Sequence, residues 1–148
     1  NSSSWTMYQI GDSNTSSITA GGGGSVASSD FDYSATGNSN VLTWLQGSSS
    51  AASGANNDFS ITGNSNDLNS RCESIGCINN WSIDGNSNDI DVTQIGTDDK
   101  AITFTLVGSS NNIDIDQTTA ASGVTDTINI VAASTSGTIN IDQCTSGC

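Results

Sequence analysis

The sequence contains no proline and no histidine, and its two basic residues face fifteen acidic ones. Each absence excludes something. Proline removes a ladder donor and is kept out of sheet interiors, so a proline-free chain is compatible with an unbroken hydrogen-bonded stack. Without histidine, and with Glu73 as the one glutamate, general acid–base machinery is nearly missing. No Gly-x-Ser-x-Gly elbow is present, and an enzyme is not expected. A net charge of −13 leaves nothing to neutralise phosphates, which argues against nucleic acid as a partner. No run of about 20 apolar residues is present, so no helical membrane span is expected. The start at Asn1 rather than at Met reads as a processed or trimmed chain, and a secreted one is expected.

Apolar residues make up 33% of the chain and charged ones 11%, against about 45–50% and about 25% in globular domains. The balance is largely Ser, Thr, Asn, Gly and Asp, all poor helix formers. Unpatterned, such a composition would be disordered. Here it is patterned. Gly-Asn-Ser-Asn occurs at Gly37–Asn40, Gly63–Asn66 and Gly85–Asn88, and Gly-Ser-Ser-Asn at Gly108–Asn111. The steps are 26, 22 and 23 residues, the length of one solenoid coil.

A strand of period 2, strand A, follows each turn. Its apolar pairs are Leu42/Trp44, Ile90/Val92 and Ile113/Ile115, with outer copies at Trp5/Met7 and Ile139/Ile141 and a degenerate copy at Leu68/Ser70. It closes on Gln9, Gln46, Gln94, Gln117 and Gln143, with Cys72 at that place in the degenerate copy. Strand B precedes each turn, with the pairs Phe31/Tyr33, Phe59/Ile61, Trp81/Ile83, Phe104/Leu106 and Ile128/Ile130. Each pair brackets one outward residue, as the pleat requires.

These patterns predict an all-β fold over residues 1–148, a β-solenoid of about five and a half two-strand coils. Coils repeat at about 4.7–4.9 Å, so like residues stack in columns. Phe31, Phe59, Trp81 and Phe104 are expected to form an aromatic column. The Gln residues share inward parity with Asn40, Asn66, Asn88 and Asn111, and both sets are read as amide ladders that satisfy themselves along the stack. Residues 15–29, with their Gly21–Gly24 run, are read as a loop inserted in the first coil.

An even cysteine count in a chain of secreted character points to disulfides, local ones at Cys72/Cys77 and Cys144/Cys148. The C-terminal pair could alternatively bond a neighbouring subunit. No cofactor is expected. Acids recur on the outward face of strand A: Asp91 should stack on Asp114, Asp116 on Asp142 and Asp67 on Asp89. Water and salt screen such columns, or Ca²⁺ bridges Asp91, Asp114, Asp116 and Asp142. Paired acids also arise from stacking alone, without chemistry.

Both ends carry apolar, strand-ready coils, Trp5 and Met7 at one and Ile139 and Ile141 at the other. An uncapped solenoid edge templates further strands, and a heterologous contact that does not close makes fibres. Copies of the same chain are therefore the expected partner. A second class is a monomeric binding solenoid, of ice-binding or adhesin type. Ice binding needs regular Thr-x-Thr rows, and beside Thr103/Thr105 the rows read Asn80/Ser82, Asp58/Ser60 and Thr127/Asn129.

The segments Met7-Tyr8-Gln9-Ile10-Gly11-Asp12-Ser13-Asn14 and Ile90-Asp91-Val92-Thr93-Gln94-Ile95-Gly96 resemble the repeats of curlins, whose unit runs strand, Gln, x, Gly, two variable residues, Asn, strand, Gln. The resemblance implies a secreted subunit of cross-β fibres in a biofilm matrix or surface appendage, with the inward Gln and Asn as assembly ladders and secretion or nucleator proteins as further partners. Three features depart from that pattern: no second Gln stands on the partner strand, Gly-Asn-Ser-Asn replaces one of the turns, and there are four cysteines.

Overall fold

A computed structural model describes residues 3–22, 29–48, 53–73, 75–97, 99–119 and 125–145. Every regular element in it is a β-strand, twelve in all. They are β1 (Ser3–Ile10), β2 (Thr15–Gly22), β3 (Ser29–Thr36), β4 (Val41–Ser48), β5 (Ser53–Thr62), β6 (Asp67–Glu73), β7 (Ile75–Asp84), β8 (Asp89–Gly96), β9 (Ala101–Ser109), β10 (Asn112–Thr119), β11 (Thr127–Thr135) and β12 (Thr138–Thr145). The odd strands form one six-stranded sheet in chain order and the even strands another. All recorded pairings are parallel. This is the expected β-solenoid: the chain runs along one sheet, turns, returns along the other, and steps up one strand.

The turn explains the repeat. Ser39, Ser65, Ser87 and Ser110 sit at φ 55–57°, and the preceding glycines at φ 129–156°. That glycine is required twice over. Its φ is one that L side chains avoid, and a Cβ on Gly63, Gly85 or Gly108 would lie 2.0, 1.8 or 1.9 Å from the carbonyl oxygen of the turn glycine one coil before. Turns therefore stack directly on turns, with Gly37 N–H donating to Thr62 O at 3.0 Å and Gly63 N–H to Asp84 O at 2.9 Å.

The first coil differs from its sequence reading. Gly11-Asp12-Ser13-Asn14 is one more copy of the turn, with Ser13 at φ 60°. The strand before it, β1, therefore belongs to the odd sheet, the strand-B side. Trp5 pairs with Phe31 and Met7 with Tyr33, not with strand A. Residues 15–29 are not all loop, because Thr15–Gly22 forms β2 against β4. Its inward positions are Ser16, Ile18 and Ala20, too small or polar to register as an apolar pair. Residues 23–28 of that segment lie outside the described residues.

The aromatic column also shifts. It runs Met7, Tyr33, Phe59, Trp81, Phe104, Ile130, so Tyr33 takes the place expected for Phe31. Ile130 pairs with Phe104, and Ile128 with Ile102, again two residues from the expected alignment. A slip of two preserves every inward and outward assignment, so pleat parity cannot detect it. Phe31 instead lies flat on Trp44 across the core, centroids 3.7 Å apart and planes 3° from parallel. Within the column Phe59 stacks on Trp81 at 3.9 Å and Trp81 on Phe104 at 5.4 Å. One narrow core between the sheets holds Phe31, Tyr33, Leu42, Trp44, Phe59, Ile61, Leu68, Trp81, Ile83, Ile90, Val92, Phe104, Leu106, Ile113 and Ile115, with Met7, Ile128 and Ile130 partly buried against it.

Candidate assembly site: ladders and open coil ends

Each turn ends in an asparagine whose side chain points into the stack. Asn40, Asn66, Asn88 and Asn111 are at most 1% exposed. Their bonds run in one direction. Asn40 N–H donates to Asn66 Oδ1 at 2.9 Å, Asn66 N–H to Asn88 Oδ1 at 2.9 Å, and Asn88 N–H to Asn111 Oδ1 at 2.9 Å. Asn66 Nδ2 and Asn88 Nδ2 donate to the same acceptors at 3.0 and 3.1 Å. Asn14 extends the ladder, its Nδ2 donating to Asn40 Oδ1 at 3.0 Å. At the other end Asn111 Nδ2 turns back to Gly85 O at 2.9 Å. The residue stacked on Asn111 in the last coil is Gly137, since Asn112 pairs with Thr138, and the ladder stops there.

A second, exposed ladder escaped the sequence reading. Asn38, Asn64 and Asn86, the second residues of the same turns, donate one coil back: Asn64 N–H to Asn38 Oδ1 at 2.9 Å and Asn86 N–H to Asn64 Oδ1 at 2.7 Å. Asp12 accepts from Asn38 N–H at 2.6 Å. The motif itself carried that signal, because both asparagines recur in it.

The glutamine column is partial. Gln143 Nε2 donates to Gln117 Oε1 at 2.7 Å and Gln117 Nε2 to Gln94 Oε1 at 2.9 Å. Cys72 then interrupts it, lying between Gln94 and Gln46. Gln9 is not in this column: β1 is in the odd sheet, where Gln9 pairs with Ala35 and accepts a hydrogen bond from Tyr33 OH. Burial of that phenol pushes its pKa up to about 12. Gln46 bonds across the coil instead. Asn57 Nδ2 donates to Gln46 Oε1 at 2.8 Å and to Asn79 Oδ1 at 2.8 Å. Asn57 and Asn79 thus fill, on the partner strand, the amide position that the sequence reading found vacant. They lie two residues before Phe59 and Trp81, with the same parity.

Cys72 and Cys77 form a disulfide with Cα atoms 6.5 Å apart, closing the link between β6 and β7. Cys144 is buried, and Cys148 lies outside the described residues. A buried group absent from the sequence reading sits near the fourth and fifth coils. Lys100 Nζ donates to Thr119 Oγ1 at 2.6 Å and lies 3.8 Å from Asp126 Oδ1, with both charged side chains nearly fully buried. A charge at this depth needs such a partner.

The acid columns fall where the outward parity puts them. Asp91 pairs with Asp114, Asp116 with Asp142 and Asp67 with Asp89. Asn112 relieves one column by donating to Asp89 Oδ1 at 2.8 Å. Partial burial, then repulsion from Asp89, Asp114 and Asp67, raises the Asp91 pKa above the usual carboxylate range. On the other sheet Asp30, Asp32 and Asp58 hold carboxylate oxygens within 4.8 Å of one another. There Asp58 accepts from Asn80 Nδ2 at 2.7 Å. The row in which ice binding would need threonines runs Thr6, Asp32, Asp58, Asn80, Thr103, Asn129, broken as its sequence reads, so it is not a threonine face.

Finally, among the described residues no strand pairs beyond the end strands of either sheet. β1 and β2 form one end, β11 and β12 the other. Inward residues that are sealed in the middle become accessible there: Trp5 is 39% exposed, Ile139 38% and Ile141 50%, against 1% or less at Trp44, Ile113 and Ile115.

Residues 85–118, one turn with β8, β9, the next turn and most of β10, match the curlin associated repeat. That stretch of the chain is thus a curlin-like repeat. No curated protein and no solved structure matches the chain.

Proposed function

We propose that the chain is the structural subunit of a secreted, curli-like extracellular fibre of a biofilm matrix or surface appendage, assembled by head-to-tail stacking of solenoids. One observation carries the reading: among the described residues, both parallel sheets end, at both ends, in edge strands paired on one side and backed by exposed apolar core residues. A soluble monomeric solenoid needs polar caps at those ends. A parallel edge without one is a template for a further strand. The curlin-type repeat supports the same class, and such a subunit needs neither catalysis nor a cofactor. Its partners are copies of itself, and its place is outside the cell.

The test is incubation of the purified chain in neutral buffer with salt, followed by pelleting and negative-stain electron microscopy. Unbranched filaments that seed fresh subunit are the expected result. Persistent monodisperse monomer would refute the reading.

A further inference from the structure

Of the eight large apolar side chains exposed among the described residues, six lie on the end strands β1, β11 and β12, and Ile78 and Val107 lie on interior strands. On the outer face of the odd sheet, Tyr8 is 74% exposed, Ile10 81% and Val131 61%. Tyr8 and Val131 are opposite ends of one column, whose interior members are Ser34, Ser60, Ser82 and Thr105. Ile10 and Ala133 end the next column, which runs Ile10, Thr36, Thr62, Asp84, Val107, Ala133. Within one copy these apolar ends lie at opposite ends of the stack. The Tyr8–Val131 column, hydroxylated through its middle and apolar at both rims, is what a joint between copies would use, while Ile78 and Val107 are apolar residues exposed on the same face away from the end strands.

The polar ladders cannot define that joint. The buried asparagine ladder stops before Gly137, and the residue that begins the even-sheet column at the other end is Ala20, not glutamine. We infer that the β11–β12 end receives the β1–β2 end of a second copy in the parallel register used inside the chain, so that Tyr8 packs beside Val131 and Ile10 beside Ala133 as an outward apolar clasp over each joint. The turns set this register. Ser136, at φ 65°, matches Ser13, at φ 60°, so the last turn of one copy stacks on the first turn of the next. Thr138 N–H reaches Asn111 O at 2.9 Å, and Thr15 N–H of the second copy finds Gly137 O in the same relation. The inner face is sealed by the same step, Trp5 over Ile128 and Ile18 over Ile141. This inference rests on the fibre reading and specifies its contact.

Two full-chain variants, each blocked at one end, test the polarity: Met7→Lys/Ile18→Lys and Ile130→Lys/Ile141→Lys. Neither should elongate alone, and an equimolar mixture should stop at a heterodimer in analytical ultracentrifugation. Homodimers of either variant would overturn the head-to-tail joint. Because inward lysines could unfold an end coil, Tyr8→Ser/Ile10→Thr is the second arm. It installs the hydroxylated residue types that Ser34 and Thr36 hold one coil on. Monomer stability should not change, while the critical concentration for filament growth should rise at least about tenfold, as loss of two partly buried large apolar side chains gives. An unchanged critical concentration, with wild-type filaments present, would overturn the clasp and leave the fibre reading standing. Wild-type chain that forms no filaments would overturn both.

Discussion

Asn88 Oδ1 accepts two hydrogen bonds from Asn66 one coil away, from the backbone N–H at 2.9 Å and from Nδ2 at 3.0 Å. Both residues are about 1% exposed, so no water replaces those bonds. Asn88→Ala should therefore leave two buried donors on Asn66 unpaired. Each such group costs about 1–3 kcal/mol, so a loss of about 2–6 kcal/mol is expected in urea unfolding. Asn64→Ala, in the exposed ladder, should cost under about 1 kcal/mol, because water substitutes there. Equal losses at the two sites would contradict the ladder assignment.

Gly85→Ala is expected to be among the most damaging single methyl additions. Its Cβ would lie 1.8 Å from Gly63 O at a φ of 156°. Strain and overpacking together should cost about 3 kcal/mol or more. Gly11→Ala meets nothing closer than Asn14 Nδ2 at 3.7 Å, so strain at φ 108° is its main penalty. Thermal unfolding of the two variants should rank them in that order.

The Asp91 carboxyl has its pKa raised by burial, then by Asp89, Asp114 and Asp67. A folded-state pKa above the unfolded one means the native chain takes up this proton more readily, so protonation favours folding. Stability from this group is gained as pH falls through the raised value towards the ordinary 3.8, and lost as pH rises. Asp91→Asn should accordingly stabilise the protein at pH 7 and change little near pH 3. Denaturant midpoints at the two pH values check this, and destabilisation at pH 7 would contradict it. Assembly should follow the same trend, favoured by salt or low pH.

The Cys72–Cys77 bridge closes a loop of five residues. A loop that short restrains the unfolded chain by about 2 kcal/mol. Cys72→Ala/Cys77→Ala should lower stability by about that amount, and added reductant should then have no further effect attributable to this bridge. A larger loss would assign the pair a packing role in the column that Cys72 interrupts.

The strands and the inward face were legible because period-2 alternation and a repeated turn determine them. Every inward core residue of the middle coils follows from that parity. Register was not legible, since Phe31/Tyr33 and Ile128/Ile130 slip by two residues without changing face. The first coil was misplaced for a different reason. Asp12 in place of asparagine disguised the turn, and Ser16 and Ala20 disguised β2. Gln9 therefore looked like a ladder member, although its sheet forbids it. Lys100 and Asp126 are 26 residues apart, a separation that becomes contact only when coils stack.

The most direct measurement of the central claim is the axial rise per subunit in filaments, obtained by cryo-electron microscopy. Six strands per sheet at about 4.8 Å each, continued across an in-register joint, give about 29 Å per subunit. A 4.8 Å repeat with a rise of about 29 Å is the predicted result. Filaments lacking that rise, or a chain that stays monomeric under all conditions, would contradict head-to-tail stacking.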